Sequence, residues 1–227
     1  MVVLKGVSVI IPAFNEADKI QATVSSVALI PEVKEIVVVD DASTDATPEM
    51  ARAAGARVFS MPQNNGKGAA LTYGATRVKS DVIALLDGDL GNSASEARLL
   101  ILPVLEGTAD MTIAGFPPAR KKGGFGLVKG LAAQAIYKHT GLKVKSPLSG
   151  QRVMTRRVME KVLPFASGYG VEVAMTIKVA KLGFKITEVP VRMFHAETGR
   201  DIKGFIHRGK QFVDILRVLT VLRMKGA

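Results

Sequence analysis

Short apolar segments alternate with longer amphipathic segments through the first half of the chain. The apolar segments, which have the composition of strands covered on both faces, are Val7 to Ala13, Glu35 to Asp40, Arg57 to Ser60, Asp81 to Leu86 and Met111 to Ala114. The amphipathic segments, which are long enough to be crossover helices, are Asp18 to Leu29, Thr47 to Ala54, Lys67 to Val78 and Ser95 to Leu105. Repeated βα units predict an α/β fold with a mostly parallel, doubly wound sheet and helices on both faces.

The second half of the chain predicts fewer regular elements. The expected elements are a loop rich in Pro, Gly and basic residues over Phe116 to Gly130, a strand over Gln151 to Thr155, a helix over Val171 to Leu182, a strand over Lys185 to Val191 and a basic amphipathic helix over Gly204 to Met224. No segment has the composition of a linker, so we expect a single domain over residues 1–227.

Composition narrows the classes of protein that fit this pattern. The 227 residues include no cysteine, which excludes a disulfide framework, a thiolate zinc site and a cysteine nucleophile. No window approaches the roughly 20 continuous apolar residues of a spanning helix, and the N-terminus does not have the pattern of a secretory signal. We therefore expect a cytoplasmic protein without a membrane span.

The formal net charge of +11 favours an anionic partner. The three candidates are a phosphate-bearing ligand, a nucleic acid and an acidic lipid. Charge alone does not choose among the three. The three Tyr and nine Phe are not interleaved with basic residues, and there is no Trp, whereas a platform for stacking bases needs such an arrangement. We therefore expect no nucleic-acid partner.

Acidic residues follow two of the predicted strands. Asp41 comes after the second strand, and Asp87-Gly88-Asp89 comes after the fourth. Ligands of such sheets bind beyond the carboxyl ends of the strands, so we expect both acidic segments at one edge. Two carboxylates at a glycine turn suit Mg²⁺ or Mn²⁺, which takes one or two carboxylates together with phosphate oxygens. The alternative for Asp87 and Asp89 is local hydrogen bonding in a turn.

Asp41 has two interpretations as well. Residues 40 to 45 contain several side chains that are able to cap the following helix. Two adjacent acids at the end of a buried strand exceed what capping needs, and a carboxylate there suits the ring N–H of a pyrimidine or the N–H groups of guanine. Asp41 is our choice for this base-reading role.

The segment Asn64 to Gly68 places glycines and Lys67 at the start of a predicted helix, a composition suited to phosphate. It is not a Walker loop, because Met61 replaces the first glycine of that motif and Gly68 replaces its Ser or Thr. The glycines near Gly124 lack both the spacing and the preceding strand of a dinucleotide fingerprint. We reject both of these nucleotide-binding folds.

Four segments in order resemble the donor-binding half of family 2 glycosyltransferases of the GT-A fold. These segments are VSVIIPAFNE from Val7, VVVDDASTD, NNGKGAAL and LLDGDL. The resemblance implies a nucleotide-sugar-binding half over residues 1–115, an acceptor half over 116–203 that forms a C-terminal acceptor-side extension, and a C-terminal amphipathic helix over 204–227.

The resemblance also implies a role for individual positions in the donor half. The expected nucleotide-sugar contacts are Pro12, Ala13, Phe14, Glu16, Asp41, Lys67, Asp87, Gly88 and Asp89. Asp41 matches the base-reading acid of the family. Asp89, helped by Asp87, is expected to hold Mg²⁺ or Mn²⁺ on the donor diphosphate. Lys67 is expected near the phosphates, with a catalytic electrostatic role.

The second half resembles two groups of the family, the polyprenyl-phosphate sugar transferases and the glucosyl-3-phosphoglycerate synthases. The segments that carry this resemblance are SPLSGQR, GYGVE and the strand that ends in VPV before His195. It implies that Glu172 faces the acceptor as a catalytic residue and that His195 completes the metal shell. From the residues alone, Glu172 also suits a helix N-terminus, and His195 also suits a surface or a cap.

Phosphate contacts on the acceptor side are expected from Gly150, Gln151, Arg152 and Arg200, since guanidinium groups match phosphate oxygens geometrically. The predicted function is metal-dependent transfer of a hexose from a nucleotide diphosphate sugar, with a UDP-sugar as the expected donor, to a phosphate-bearing acceptor such as a phosphoglycerate-like molecule. The alternative acceptor is a polyprenyl phosphate at the cytoplasmic membrane face. The helix over Gly204 to Met224 fits packing on the body, packing on a second subunit in a homodimer, or peripheral contact with an anionic membrane.

Overall fold

A computed structural model describes residues 6–116, 125–166 and 170–193. Within these residues the strands are β1 Val7–Ala13, β2 Val33–Asp40, β3 Arg57–Ser60, β4 Val82–Leu85, β5 Met111–Gly115, β6 Arg152–Thr155 and β7 Ile186–Pro190. The helices are α1 Ala17–Ala28, α2 Thr47–Ala53, α3 Lys67–Ala75, α4 Ala97–Leu105, α5 Phe125–Thr140, α6 Arg156–Val162 and α7 Val171–Lys181, with a 3₁₀ turn over Gly91–Glu96 before α4.

The described strands form one seven-stranded sheet in the order β3-β2-β1-β4-β6-β5-β7. The pairs β1–β2, β1–β4, β2–β3 and β5–β7 are parallel, so the expectation of a mostly parallel sheet is confirmed. Strand β6 is the exception, because it runs antiparallel to both β4 and β5. Its reversed direction brings the residues that precede it to the edge where β4 ends.

Two apolar cores cover the two faces of the sheet. Neighbouring residues of β1 point to opposite faces, so Ile10 packs in one core and Ile11 in the other, and both are fully buried. The core around Ile10 includes residues of α3, α5, α6 and α7, whereas the core around Ile11 includes residues of α1 and α4. The helices on both faces confirm the doubly wound layout.

The predicted loop over Phe116 to Gly130 is wrong in its last part, because α5 begins at Phe125. Val128, Ala132 and Ile136 recur every four residues and are buried against the core. The sequence analysis missed the start of α5 because it lies in a segment rich in Gly and Lys, where the few apolar residues give a weak helical pattern. The predicted helix over residues 204–224 lies outside the described residues.

Helix α6 was not predicted at all. It begins after Thr155, whose side-chain oxygen accepts a hydrogen bond from the N–H of Val158 at 3.3 Å and so caps the helix. In the part of the chain that the structure describes, no helix is both long enough and apolar enough to cross a membrane.

Candidate active site

A lysine lies between two carboxylates at the carboxyl edge of the sheet. Nζ of Lys67, the first residue of α3, is 2.7 Å from Oδ1 of Asp87 and 3.1 Å from Oε1 of Glu172. Asp87 follows β4, and Glu172 lies in the first turn of α7. Three segments that are far apart in the sequence therefore meet through one ammonium group.

The turn before β6 reaches the same cluster. Nε2 of Gln151 donates to Oδ2 of Asp87 at 2.6 Å, so each oxygen of Asp87 has a partner. A Cβ atom on Gly150 would meet Nζ of Lys67 and would lie 2.8 and 2.9 Å from the oxygens of Asp87. Only a residue without a side chain leaves room for this contact, so Gly150 allows the turn to approach the ion pair.

The charge of Lys67 is fixed by its neighbours. Burial alone would lower the pKa of Lys67, but the carboxylates of Asp87 and Glu172 outweigh it and raise that pKa above its ordinary value. Lys67 therefore stays protonated throughout the physiological range. It supplies a permanent positive charge beside the predicted diphosphate site.

Two further acids, Glu16 and Asp89, lie next to this cluster. The pKa of Glu16 is raised to about 7, first by burial and next by the nearby carboxylate of Asp89, against an opposing effect of Lys19. Asp87 adds to the same increase. Three acids, Glu16, Asp87 and Asp89, therefore lie near one another at this edge of the sheet.

The turn Asp87-Gly88-Asp89 is held by a buried threonine of α1. Oγ1 of Thr23 donates to the carbonyl oxygen of Gly88 and accepts from the N–H of Gly91, both at 2.8 Å. This contact was not predicted, because Thr23 sits within an ordinary amphipathic helix pattern. It fixes the turn that presents the two acids.

The end of β1 is also fixed by hydrogen bonds. The N–H of Glu16 donates to Oγ1 of Thr47 at 2.7 Å, and the N–H of Asn15, whose φ is 55°, donates to Oγ of Ser43 at 2.9 Å. Pro12 and Ala13 are the last residues of this strand, and Phe14 beyond them is 45% exposed. The ring of Phe14 is accessible to a ligand at this edge.

Asp41 has a structural role that the sequence did not indicate. Its Oδ1 accepts from the N–H of Asn65 at 2.8 Å, and its Oδ2 accepts from the N–H of Gly66 at 2.7 Å. Its side chain is buried, and both oxygens hold the loop that leads into α3. The base-reading role of Asp41 stays a prediction, and the contact shows that this acid also sets the start of the helix that carries Lys67.

Arg152 does not lie where a phosphate contact requires. It has no exposed surface, and its Nε donates to the carbonyl oxygen of Ser149 at 2.9 Å. The guanidinium points into the protein because β6 places Arg152 on the face covered by α7. Two other predicted residues, His195 and Arg200, lie outside the described residues.

The residues present fit a divalent cation in part. Within the described segments, no three acidic or imidazole side chains converge into a closed metal site. Asp87 and Asp89 nevertheless follow the same strand end, and Mg²⁺ typically takes only one or two carboxylates, with phosphate oxygens and water completing its shell. These two acids therefore fit an open metal site, in which a phosphorylated ligand would supply further oxygens.

The family model described as "Glycosyl transferase family 2" matches residues 8–163, which is more than half of the chain. The chain belongs to this family. The matched region includes Lys67, Asp87 and the Gly150-Gln151 turn, and it ends before Glu172. The family expectation from the sequence is confirmed.

Two curated relatives show how the similarity is distributed. The glucosyl-3-phosphoglycerate synthase of Mycobacterium tuberculosis is 32% identical over 195 residues, which cover 75% of this chain and 60% of the relative. The glycosyltransferase AglJ of Haloferax volcanii is 28% identical over 204 residues, covering 86% of this chain and 65% of AglJ. This family 2 chain thus spans less than two thirds of the length of both relatives.

Solved structures agree in fold. A crystal structure of the Mycobacterium tuberculosis synthase with Mn²⁺, uridine-diphosphate-glucose and phosphoglyceric acid has a TM-score of 0.77 and 29% identity, covering 95% of this chain and 80% of that one. A second structure of that synthase, with Mg²⁺ and uridine-diphosphate, has a TM-score of 0.78. The GT-A expectation for this family 2 chain is confirmed.

The close approach at Gly150 leads to a prediction about stability. In Gly150→Ala, the added methyl group displaces Lys67 from Asp87, and we expect the free energy of unfolding to fall by about 1–3 kcal/mol. Gly130→Ala is the matched control, because Gly130 lies in α5 with no atom within 4 Å of an added Cβ. The control should leave stability unchanged or increase it, since Ala favours a helix. Equal urea midpoints for the two variants would contradict this account.

The contacts of Asp41 lead to a second prediction. Asp41→Asn places an N–H₂ group against one of two main-chain N–H donors, so we expect a loss of about 1–3 kcal/mol in the free energy of unfolding. Glu106→Gln removes a charge from the exposed end of α4 and should change stability by less than about 0.5 kcal/mol. Chemical denaturation of both variants measures the difference, and a stable Asp41→Asn protein would show that the loop does not depend on this acid.

Proposed function

We propose that this chain is a metal-dependent glycosyltransferase that moves a hexose from a UDP-sugar to a phosphate-bearing small molecule of the phosphoglycerate type. The observation that carries the proposal is the meeting of Lys67 and Asp87, from the donor half, with Gln151 and Glu172, from the acceptor half. The similarity to a synthase solved with uridine-diphosphate-glucose and phosphoglyceric acid supports this choice of substrates.

The metal would be held chiefly by Asp89. Both oxygens of Asp87 already contact Lys67 and Gln151, so Asp87 contributes more as a second charge than as the main ligand. The sequence adds His195 as a predicted further ligand. When bound, Mg²⁺ or Mn²⁺ supplies Lewis-acid stabilisation of the negative charge on the leaving diphosphate.

The described residues have complementary tasks around the substrates. The permanent positive charge of Lys67 stabilises negative charge that develops on the donor phosphates, and Asp87 keeps this ammonium in place. Glu172, on the other side of Lys67, is buried and lies where the acceptor half meets the donor half. Its carboxylate orients the acceptor hydroxyl or takes its proton.

The metal role of Asp89 is tested by substitution. In Asp89→Asn we expect the rate of UDP-glucose transfer with Mn²⁺ to fall by about 100-fold or more, because charge stabilisation at the transition state is lost. Glu106→Gln is the control, since it removes one negative charge at the opposite edge of the sheet. Calorimetry should show Mn²⁺-dependent UDP binding to the control only. Unchanged turnover in Asp89→Asn would refute the metal role.

The acceptor class is tested with two substrates. We expect transfer to 3-phosphoglycerate in solution, and no faster transfer to polyprenyl phosphate in anionic vesicles. Faster transfer to the lipid, lost on deletion of residues 204–227, would replace the small acceptor by a membrane acceptor. A separate measurement, the molecular mass from analytical ultracentrifugation, tests whether the protein forms the homodimer considered in the sequence analysis. Absence of transfer to both acceptors would end the proposal as stated.

A further inference from the structure

Arg152 is a fully buried charge that donates hydrogen bonds to neutral groups. Its Nε donates to the carbonyl oxygen of Ser149 at 2.9 Å, an Nη2 hydrogen to that of Pro147 at 3.4 Å, and an Nη1 hydrogen to Oγ1 of Thr176 at 2.8 Å. The guanidinium therefore joins the loop before β6 to helix α7.

The position of Arg152 makes this charge costly. In the sheet register, Arg152 pairs with Leu85 on one side and Ile113 on the other, and both neighbours belong to the apolar core. Burial lowers the pKa of Arg152 to about 10, although Glu172 and Glu188 oppose the decrease. An apolar residue would fill the same place without a charge to desolvate, so packing alone does not explain an arginine here.

The loop that Arg152 contacts is also held at its beginning. Oε2 of Glu188 accepts from the N–H of Lys145 at 2.9 Å, and Oε1 accepts from the N–H of Ser146 at 2.7 Å. Oγ of Ser146 accepts from the N–H of Phe116 at 3.2 Å, just after β5. Glu188 thus fixes the start of the 145–151 loop, and Arg152 fixes its end.

Both ends of the Arg152 contacts lead to the charged cluster. On the loop side, the next residues are Gly150 and Gln151, and Gln151 binds Asp87. On the helix side, the hydroxyl of Thr176 donates to the carbonyl oxygen of Glu172 at 2.7 Å while it accepts from Arg152. One guanidinium therefore touches the two segments that bring acceptor-side groups to Lys67 and Asp87.

We propose that Arg152, acting through Thr176, is a positioning residue that sets Gln151 and Glu172 against the donor-side ion pair of Lys67 and Asp87. This positioning role replaces the phosphate contact that the sequence analysis expected of Arg152. Its consequence for catalysis rests on the proposed function, whereas its consequence for the loop does not. The alternative is that Arg152 only fills space beneath the loop.

Substitution of Thr176 tests the proposal without deleting the buried charge. Thr176→Val keeps the shape of the side chain but removes the hydroxyl between Arg152 and Glu172, whereas Thr176→Ser keeps that hydroxyl. Thr112→Val is the matched control, because Thr112 is equally buried and its hydroxyl bonds to the carbonyl oxygen of Leu100, away from the cluster. Arg152→Met is a stronger change because it deletes the buried charge, and the two Thr176 variants test the proposal even if Arg152→Met does not fold.

Hydrogen exchange in the unliganded protein is the first measurement. We expect exchange of the 145–151 peptides to rise about three- to tenfold in Thr176→Val, and to stay near wild type in Thr176→Ser and Thr112→Val. Unchanged exchange in Thr176→Val, or the same increase in Thr112→Val, would overturn the positioning role. This measurement needs no substrate, so it stands even if the protein transfers no sugar.

Kinetics is the second measurement. In Thr176→Val we expect kcat for transfer from UDP-glucose to 3-phosphoglycerate to fall about 10- to 100-fold, because misplaced groups lose their orientation. The affinity for UDP should change by less than about twofold, and Thr176→Ser should restore kcat. Faster exchange of the 145–151 peptides in Thr176→Val together with an unchanged kcat would overturn the catalytic part of the proposal. No transfer by the wild-type protein would instead count against the proposed function.

Discussion

One ammonium group connects three segments of this molecule that are far apart in the sequence. Lys67 pairs with Asp87 after β4 and with Glu172 in α7, and without it the two carboxylates would repel each other across the space that it fills. The lysine and Asp87 side chains are 32% and 25% exposed, so water screens their attraction less than at an open surface. The arrangement of Asp87 and Glu172 therefore depends on the charge of Lys67.

Two glycines make this ion pair geometrically feasible. A Cβ atom on Gly68 would collide with the carbonyl oxygen of Ala166, so glycine lets the first turn of α3 approach the chain before α7. Gly150 does the same on the other side, where a side chain would collide with Lys67. The position of Lys67 therefore depends on the missing side chain of Gly68 as well as on the charge of the lysine.

The sequence predicted the elements better than the contacts between them. Hydrophobic periodicity located β1 at its observed bounds, Val7–Ala13, because a buried strand leaves a continuous apolar run. It missed the start of α5, whose small buried residues make a weak stripe among glycines and lysines. The two hydrogen bonds that Asp41 accepts from the N–H groups of residues 65 and 66 could not be predicted, since no pattern within either segment indicates which loop an acid will contact.

The direction of strand β6 explains why the position of Gly150 and Gln151 could not be derived from the sequence pattern alone. In a uniformly parallel sheet, the residues before a strand lie at the edge opposite to the ligand, so Gly150 and Gln151 would have been assigned to the wrong edge. The antiparallel pairing of Leu85 with Arg152 reverses this and places Gln151 on Asp87. Topology, not local sequence, makes the turn part of the site.

The acids of the site affect how the proposed diphosphate donor would bind. Glu16, Asp87 and Asp89 lie near one another, and the pKa of Glu16 is raised to about 7, first by burial and next by Asp89, with Asp87 adding to the increase and Lys19 opposing it. A diphosphate that approached such an edge alone would be repelled. A divalent cation held by these acids would reverse that repulsion, so the proposed donor would bind together with a metal.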